Sequence, residues 1–385
     1  MDITLQKTIT FMLFIGVGLL LKLKFSNKAE VTGIKKIILN LALPATIFIA
    51  LLGIEINAEL LALPLLALVL NVFLFYVFPF VLPLLGVQKD SAKYRTARLL
   101  IPSLAPGLSC FPFVLEFLGD NALAKAAMAD LGNKFFVLIF LYIMAMRWYY
   151  EKNKIAGTTQ GSKVRSLLKS LISEPVNLFI AAALILVGLG INMQTLPFFV
   201  SEGLSRLSVM MTPLVLLFIG LAVNVKKRQF VQVFAMLLLR AGIVMLLCIV
   251  FMAFAKITLQ ENILLMIAFA LSACSFWPFA HISAIDLLEN KSEKKTEEPT
   301  FDSGFAVNIL ALSFPVSVVL ILGILSAGSY VANIPALLTI AFALIIAGCA
   351  PVVYLMITRK KIVFWKKSSE DIYDPNITPA IPAEE

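Results

Sequence analysis

The fold class this sequence predicts is an all-α integral membrane protein, and three observations predict it. Apolar residues make up 60% of the 385 positions and charged residues only 14%, against about 45–50% and about 25% in soluble domains. The apolar residues are gathered into runs close to the roughly 20 that a helix needs to cross a bilayer. The basic residues between the runs alternate between many and few, as the positive-inside bias requires. A disordered chain is excluded by the same composition, with 30 Phe and a mean hydropathy of +0.95.

Hydropathy places the spans at 4–21, 37–53, 60–86, 97–119, 122–146, 175–193, 203–223, 230–255, 262–288, 303–328 and 333–357. The first is read as a retained span and not a signal peptide. Asp2 precedes any base, and the run closes on Lys22 and Lys24 with no small-residue cleavage site. Of the 32 Lys and Arg, 26 fall in the first, third, fifth, seventh and ninth loops and the tail. On the other side lie Lys7, Lys125, Arg206 and Lys256, and Lys134 and Arg240 lie within spans. This split predicts a multi-pass protein of the cytoplasmic membrane, N-terminus outside and C-terminus in the cytoplasm. The net charge of +9 is thereby assigned to the bilayer and not to nucleic acid. Cys110, Cys248, Cys274 and Cys349 all stand in apolar runs without a CxxC pair, and read as small apolar fillers.

An internal repeat organises the spans. Ser109-Cys110-Phe111-Pro112-Phe113 in the fourth span matches Ser275-Phe276-Trp277-Pro278-Phe279 in the ninth, at an offset of 166. Gly53…Asn57 matches Gly220…Asn224 at 167, and Asn133 corresponds to Asn308 once the ninth-loop insert is allowed for. Each unit has five spans, an odd number, so the second copy enters from the opposite face, the inverted plan that recurs in secondary transporters. The predicted organisation is a first five-helix repeat over 1–150, a cytoplasmic linker over 151–174 and a second repeat over 175–328 with a hydrophilic insert at 289–302. An extra span over 329–358 and a disordered cytoplasmic tail over 359–385 complete it. The fourth span carries Pro102, Pro106, Gly107 and Pro112, and the ninth Pro278. Proline frees backbone groups, which membrane depth tolerates only where they are buried in protein or line a cavity. Two broken helices at equivalent positions point to a binding site between them.

Ionisable residues inside spans supply the chemistry. Asp130 and Lys134 stand at i and i+4 on one face, roughly 12–18 Å below an outer boundary near 122. With Asn133 they would hold a substrate carboxylate on Lys134 and exchange a proton on Asp130; a self-neutralising structural pair is the other reading. Ser109 and Ser275, beside Pro112 and Pro278, together with the half-helix N-termini, would bind a carboxylate. His281 is placed to shuttle a proton, or to pack through a hydrogen bond. Arg240 reads as a snorkelling residue or a partner to another helix, with a functional intramembrane cation as the other reading, and Glu116 and Asp286 as rim or gate residues. No HExxH, GxSxG or Walker loop is present, and one histidine builds no zinc site; no enzyme, cofactor or metal is expected. The intramembrane cations and helix N-termini favour an anion. The predicted function is therefore secondary transport of a small anion by alternating access, driven by the membrane potential or by a proton on Asp130, with the bilayer and a second copy of the chain as further partners; the resemblance given below implies that the anion is organic. A sodium-coupled symporter and an anion sensor that binds without transport are the alternatives.

These residues resemble the auxin efflux carrier family, the PIN-like permeases. The similarity rests on Phe113–Phe136 (a proline break, Leu-x-x-x-Gly, then Asp130-Leu131-Gly132-Asn133), on Leu39-Asn40-Leu41-Ala42-Leu43-Pro44, and on Pro213…Gly220-Leu221. The resemblance covers about 330 residues. It implies a 5+5 fold with helices crossing at the prolines, of the sodium/proton-antiporter and bile-acid-transporter type, and carriage of auxin-like or dicarboxylic acids. The family's Asn before the crossover prolines is replaced here by Phe111 and Trp277, which leaves the substrate open.

Overall fold

The computed structural model describes residues 3–25, 27–53, 57–153, 174–222, 230–291 and 299–357, with Arg165 and Lys169 as isolated residues. Most of the linker 151–174, Asn224, the core of the 289–302 insert and the tail 359–385 lie outside the described residues. All regular structure among them is helical: α1 (Ile3–Leu21), α2 (Lys28–Ile37), α3 (Leu43–Leu52), α4 (Ala58–Val81), α5 (Ala92–Leu100), α6 (Pro106–Ser109), α7 (Phe111–Phe135), α8 (Leu141–Asn153), α9 (Pro175–Gly188), α10 (Phe198–Val209), α11 (Met211–Ala222), α12 (Phe230–Ala255), α13 (Gln260–Ala270), α14 (Trp277–Lys291), α15 (Ser303–Ala327) and α16 (Ile334–Ile357). Among the described residues, seven stretches are long and apolar enough to cross a membrane: 29–52, 58–85, 111–153, 198–221, 230–255, 303–330 and 334–351. With the shorter apolar helices at 6–21, 175–188 and 260–270, they make this a membrane-embedded all-α protein.

Local chemistry sets the helix ends. Asn57 accepts from the Leu60 N–H at 2.8 Å, Ser91 from Tyr94 at 3.2 Å and Asp302 from Phe305 at 2.8 Å, each meeting an amide that the first turn leaves free. Between α2 and α3 the chain winds as a π-helix over Ile38–Ala42. Pro44 explains it: its ring would clash with the carbonyl four residues back, and the wider turn moves that carbonyl aside. A second π-turn, Phe136–Phe140, joins α7 to α8. Within α7, Gly119 sits at φ 84°, ψ −175°. The helix breaks there, so 111–118 and 120–135 are separate rods. Space around Gly119 is open, so it is the left-handed φ that calls for glycine.

The most extensive helix pairs are α12–α16, α1–α11, α4–α7 and α3–α9. Glycines close three of these seams. A Cβ on Gly18 would lie 2.3 Å from the Leu217 carbonyl oxygen across α1–α11, and one on Gly348 2.9 Å from that of Ala235 across α12–α16. At Gly132 it would lie 1.7 Å from the Pro64 carbonyl oxygen across α4–α7. The helices therefore fall into two packed sets, α1–α3 with α9–α11, and α4–α8 with α12–α16. Contact between the sets runs mainly through α7, against α3, α9 and α11, with a thinner one between α1 and α15.

Candidate functional site

Two helices of the second set are broken at mid-length, and the breaks cross. Residues 101–105 separate α5 from α6, and 271–276 separate α13 from α14. The two unwound strands run antiparallel past one another. The Ala105 N–H donates to the Ala273 carbonyl at 2.7 Å, and the Ser275 N–H to Ser103 Oγ at 2.9 Å. Serines satisfy the backbone groups that unwinding frees. Ser109 Oγ donates to the Ala105 carbonyl at 2.8 Å and accepts from the Ala273 N–H at 3.1 Å. Ser313 Oγ accepts from the Cys274 N–H at 3.3 Å. Ser103, Ser109, Ser272 and Ser275 are all buried, so this irregular backbone is buried in protein.

The expectation that the first break lies at Pro112 needs correction. Pro112 and Pro278 each occupy the second position of a helix, α7 and α14, where the missing N–H costs nothing. Only Cys110, at φ −129°, leaves helical geometry just before Pro112. The strand that crosses is centred on Leu104, between Pro102 and Pro106, two turns earlier.

An amide ties this strand to a buried charge cluster. Asn133 Oδ1 accepts from the Leu104 N–H at 3.2 Å and from Asn71 Nδ2 at 3.0 Å. Its Nδ2 donates to the Leu104 carbonyl at 3.0 Å and to Asp130 Oδ1 at 2.8 Å. Both donors and both lone pairs of the amide are used. One turn on, the Lys134 ammonium lies 2.8 Å from Asn177 Oδ1, 3.3 Å from Glu174 Oε2 and 3.6 Å from Asp130 Oδ2. Asp130, Asn133 and Lys134 are 6%, 1% and 8% exposed. The sequence brings Asp130, Asn133 and Lys134 together by spacing alone; Asn71, Glu174, Asn177 and Ser103 it does not assign. Asn71 had a readable signal, a lone amide inside a 24-residue apolar helix.

Asn308 is half-buried on α15. His281 Nε2 lies 2.9 Å from the Val137 carbonyl in the π-turn and packs edge-on against Tyr142. A carbonyl only accepts, so Nε2 carries a hydrogen here. Arg240, 3% exposed, reaches the Ser103 carbonyl through Nη2 at 3.3 Å. Glu116 meets Lys7, whose ammonium donates to its carbonyl at 2.5 Å and lies 3.8 Å from its carboxylate. Asp286 Oδ2 accepts from Ser303 Oγ. All four cysteines are free thiols. A cavity of about 330 Å³ opens along the α4–α7 seam, lined by Gly53, Asn57, Glu59, Leu60, Leu63, Asn121 and Lys125. One of its lining residues, Leu63, precedes Pro64, whose carbonyl approaches Gly132.

These features define a class: a membrane-embedded helical protein with a polar, charge-bearing centre at a crossing of broken helices. No family model matches the chain. It is similar to the uncharacterized transporter MJ1031 of Methanocaldococcus jannaschii, 25% identical over 202 residues, which are 51% of this chain. The match spans 61% of that relative's length.

Proposed function

We propose that this protein is a secondary carrier of a small organic anion that works by alternating access, with a proton exchanged at Asp130. The observation that carries this reading is the cluster Asp130–Lys134–Glu174, roped by Asn133 to the backbone crossing. Two carboxylates share one ammonium. A site with that charge count gains or loses a proton more readily than a neutral pair. Its tether to Leu104 would make protonation felt at the crossing. The similarity to a transporter supports the reading.

The crossing also supports the inverted repeat. Adding 170 to the first strand's numbers turns the Ala105–Ala273 contact into the Ser103–Ser275 contact read from the other side. A two-fold relation predicts that interchange. It sits about one turn from the offset of 166 between the proline motifs. In this reading α1–α3 and α9–α11 form a scaffold and the other set, α16 included, moves against it. The cavity at the Gly119 end would be the outward vestibule.

A sodium-coupled symporter is disfavoured by the same geometry. Sodium needs several oxygens near the breaks, yet the carbonyls of Ser103, Leu104, Ala105 and Ala273 each already spend a lone pair on Arg240, Asn133, Ser109 and Ala105. The test is counterflow of labelled mono- and dicarboxylates in proteoliposomes across a range of pH. Asp130→Asn should still exchange substrate but with a flattened pH profile. An unchanged profile would sink the proton role, and binding without exchange would make the protein a sensor.

A further inference from the structure

The Lys134 cluster has no place for an anion. Its ammonium has three donors and faces three acceptors, one on each of Asp130, Glu174 and Asn177. A substrate carboxylate arriving there would meet two carboxylates already in place. The anion of the carrier reading must find its positive charge elsewhere.

On the crossing itself stands a cation whose charge is not met. Arg240 lies ten residues into α12, about 15 Å along its axis, and is more than nine-tenths buried. Its Nη2 makes one long hydrogen bond to the Ser103 carbonyl, at 3.3 Å, and its Nε has no acceptor among the described residues. The described ion pairs include none to Arg240. The Ser103 it reaches is also the residue whose Oγ accepts from the Ser275 N–H of the second unwound strand. A buried guanidinium normally has a carboxylate or a full set of acceptors, because desolvating it is otherwise too costly. This one has a free donor and sits where four half-helices end.

We infer that Arg240 is the counter-ion of the transported anion. The inference rests on the carrier reading and adds the residue that selects its substrate. A carboxylate reaching the crossing would take the unmet Nε donor and neighbouring N–H groups of the guanidinium, whose planar fork fits its two oxygens. Substrate and proton then occupy opposite sides of one strand: Arg240 touches Ser103, and Asn133, bonded to Asp130, touches Leu104. Occupancy on either side would be transmitted through a single residue step of backbone.

The experiment is a thermal-shift titration of the full chain in detergent with mono- and dicarboxylates. It compares wild type, Arg240→Gln, Arg240→Lys and Asp130→Asn. The wild type should be stabilised by at least one carboxylate. Arg240→Gln should weaken that binding about thirtyfold or more, the usual consequence of removing one partner of a buried charge pair. Arg240→Lys should weaken it about tenfold, since an ammonium cannot reproduce the fork. Asp130→Asn should keep the anion shift. Ligand-free Arg240→Gln should be no less stable than wild type, because it sheds an unmet buried charge. Wild-type binding in either Arg240 variant overturns the inference and leaves the carrier reading standing. A ligand-free Arg240→Gln that melts lower or fails to fold also overturns it, since that marks a structural brace. A wild type indifferent to every carboxylate removes the carrier reading itself.

Discussion

Lys134 is the residue on which the buried charges depend. Replacing it with methionine would leave the buried Asp130 and the partly exposed Glu174 without their shared cation; breaking a fully buried pair costs about 3–5 kcal/mol, and the exposure of Glu174 makes the loss here smaller. Lys134→Met should therefore lower the melting temperature, and adding Asp130→Asn and Glu174→Gln should recover much of the loss. A triple variant no more stable than the single one would show that the ammonium acts through Asn177 and not through the carboxylates. The sequence displayed half of this site. Asp130, Asn133 and Lys134 share a helical face by their spacing, and that face is fixed before any tertiary contact forms. Asn71 and Asn177 reach it only because α4 and α9 pack on either side of α7, which spacing cannot show. Glu174 was hidden by its place at the end of a charged linker. It precedes Pro175, the start of a helix of only 14 residues. At about 21 Å that helix is shorter than the roughly 30 Å hydrocarbon core, so the residue that leads into it can meet Lys134 in the last turn of α7.

At the scale of elements, the α4–α7 seam holds the cluster against the crossing. Gly132 lies between Asp130 and Asn133 and lets the Pro64 carbonyl approach to within 1.7 Å of where a Cβ would stand. No side chain fits without separating the helices, and overpacking of this kind costs about 1–3 kcal/mol. The shift would also stretch the 3.0 Å bond from Asn71 to Asn133. Gly132→Ala should lower both thermal stability and exchange rate, whereas Gly323→Ala, in open space on α15, should change neither. Equal behaviour of the two variants would mean that the seam does not position the site. Elements were more legible than their joints. Apolar runs locate helices because burial is summed over many residues, and prolines announce that a helix is interrupted nearby. A proline at a helix's second position marks where the new helix begins, however, and the unwound strand that crosses lies upstream. In the first broken helix that displacement separates Pro112 from Leu104. The strand itself carries Ser103, whose hydroxyl accepts from the partner strand, and a small polar residue between prolines is the signal that marks it.

The whole molecule divides into two packed sets, and the carrier reading requires them to move against each other. The contacts to be remade are those of α7, where Lys134 meets Asn177 and Glu174 across the boundary, and those where α1 meets α15. There Thr8 Oγ1 lies 2.7 Å from Ser326 Oγ, and nearby on α1 Lys7 holds Glu116 at the Gly119 end of the molecule. Within each set the seams close to backbone contact at Gly18 and Gly348. The 2.7 Å between the hydroxyls of Thr8 and Ser326 makes this pair the place to engineer a disulfide across the boundary. In a background where the four native cysteines are alanine, Thr8→Cys with Ser326→Cys should exchange substrate when reduced. On oxidation exchange should stop, while anion binding from the open vestibule persists, and reductant should restore transport. Either substitution alone, oxidised in the same way, should leave exchange unchanged. Undiminished exchange with the engineered disulfide formed between the two helices would show that substrate passes without relative movement of the sets, and alternating access between them would have to be abandoned.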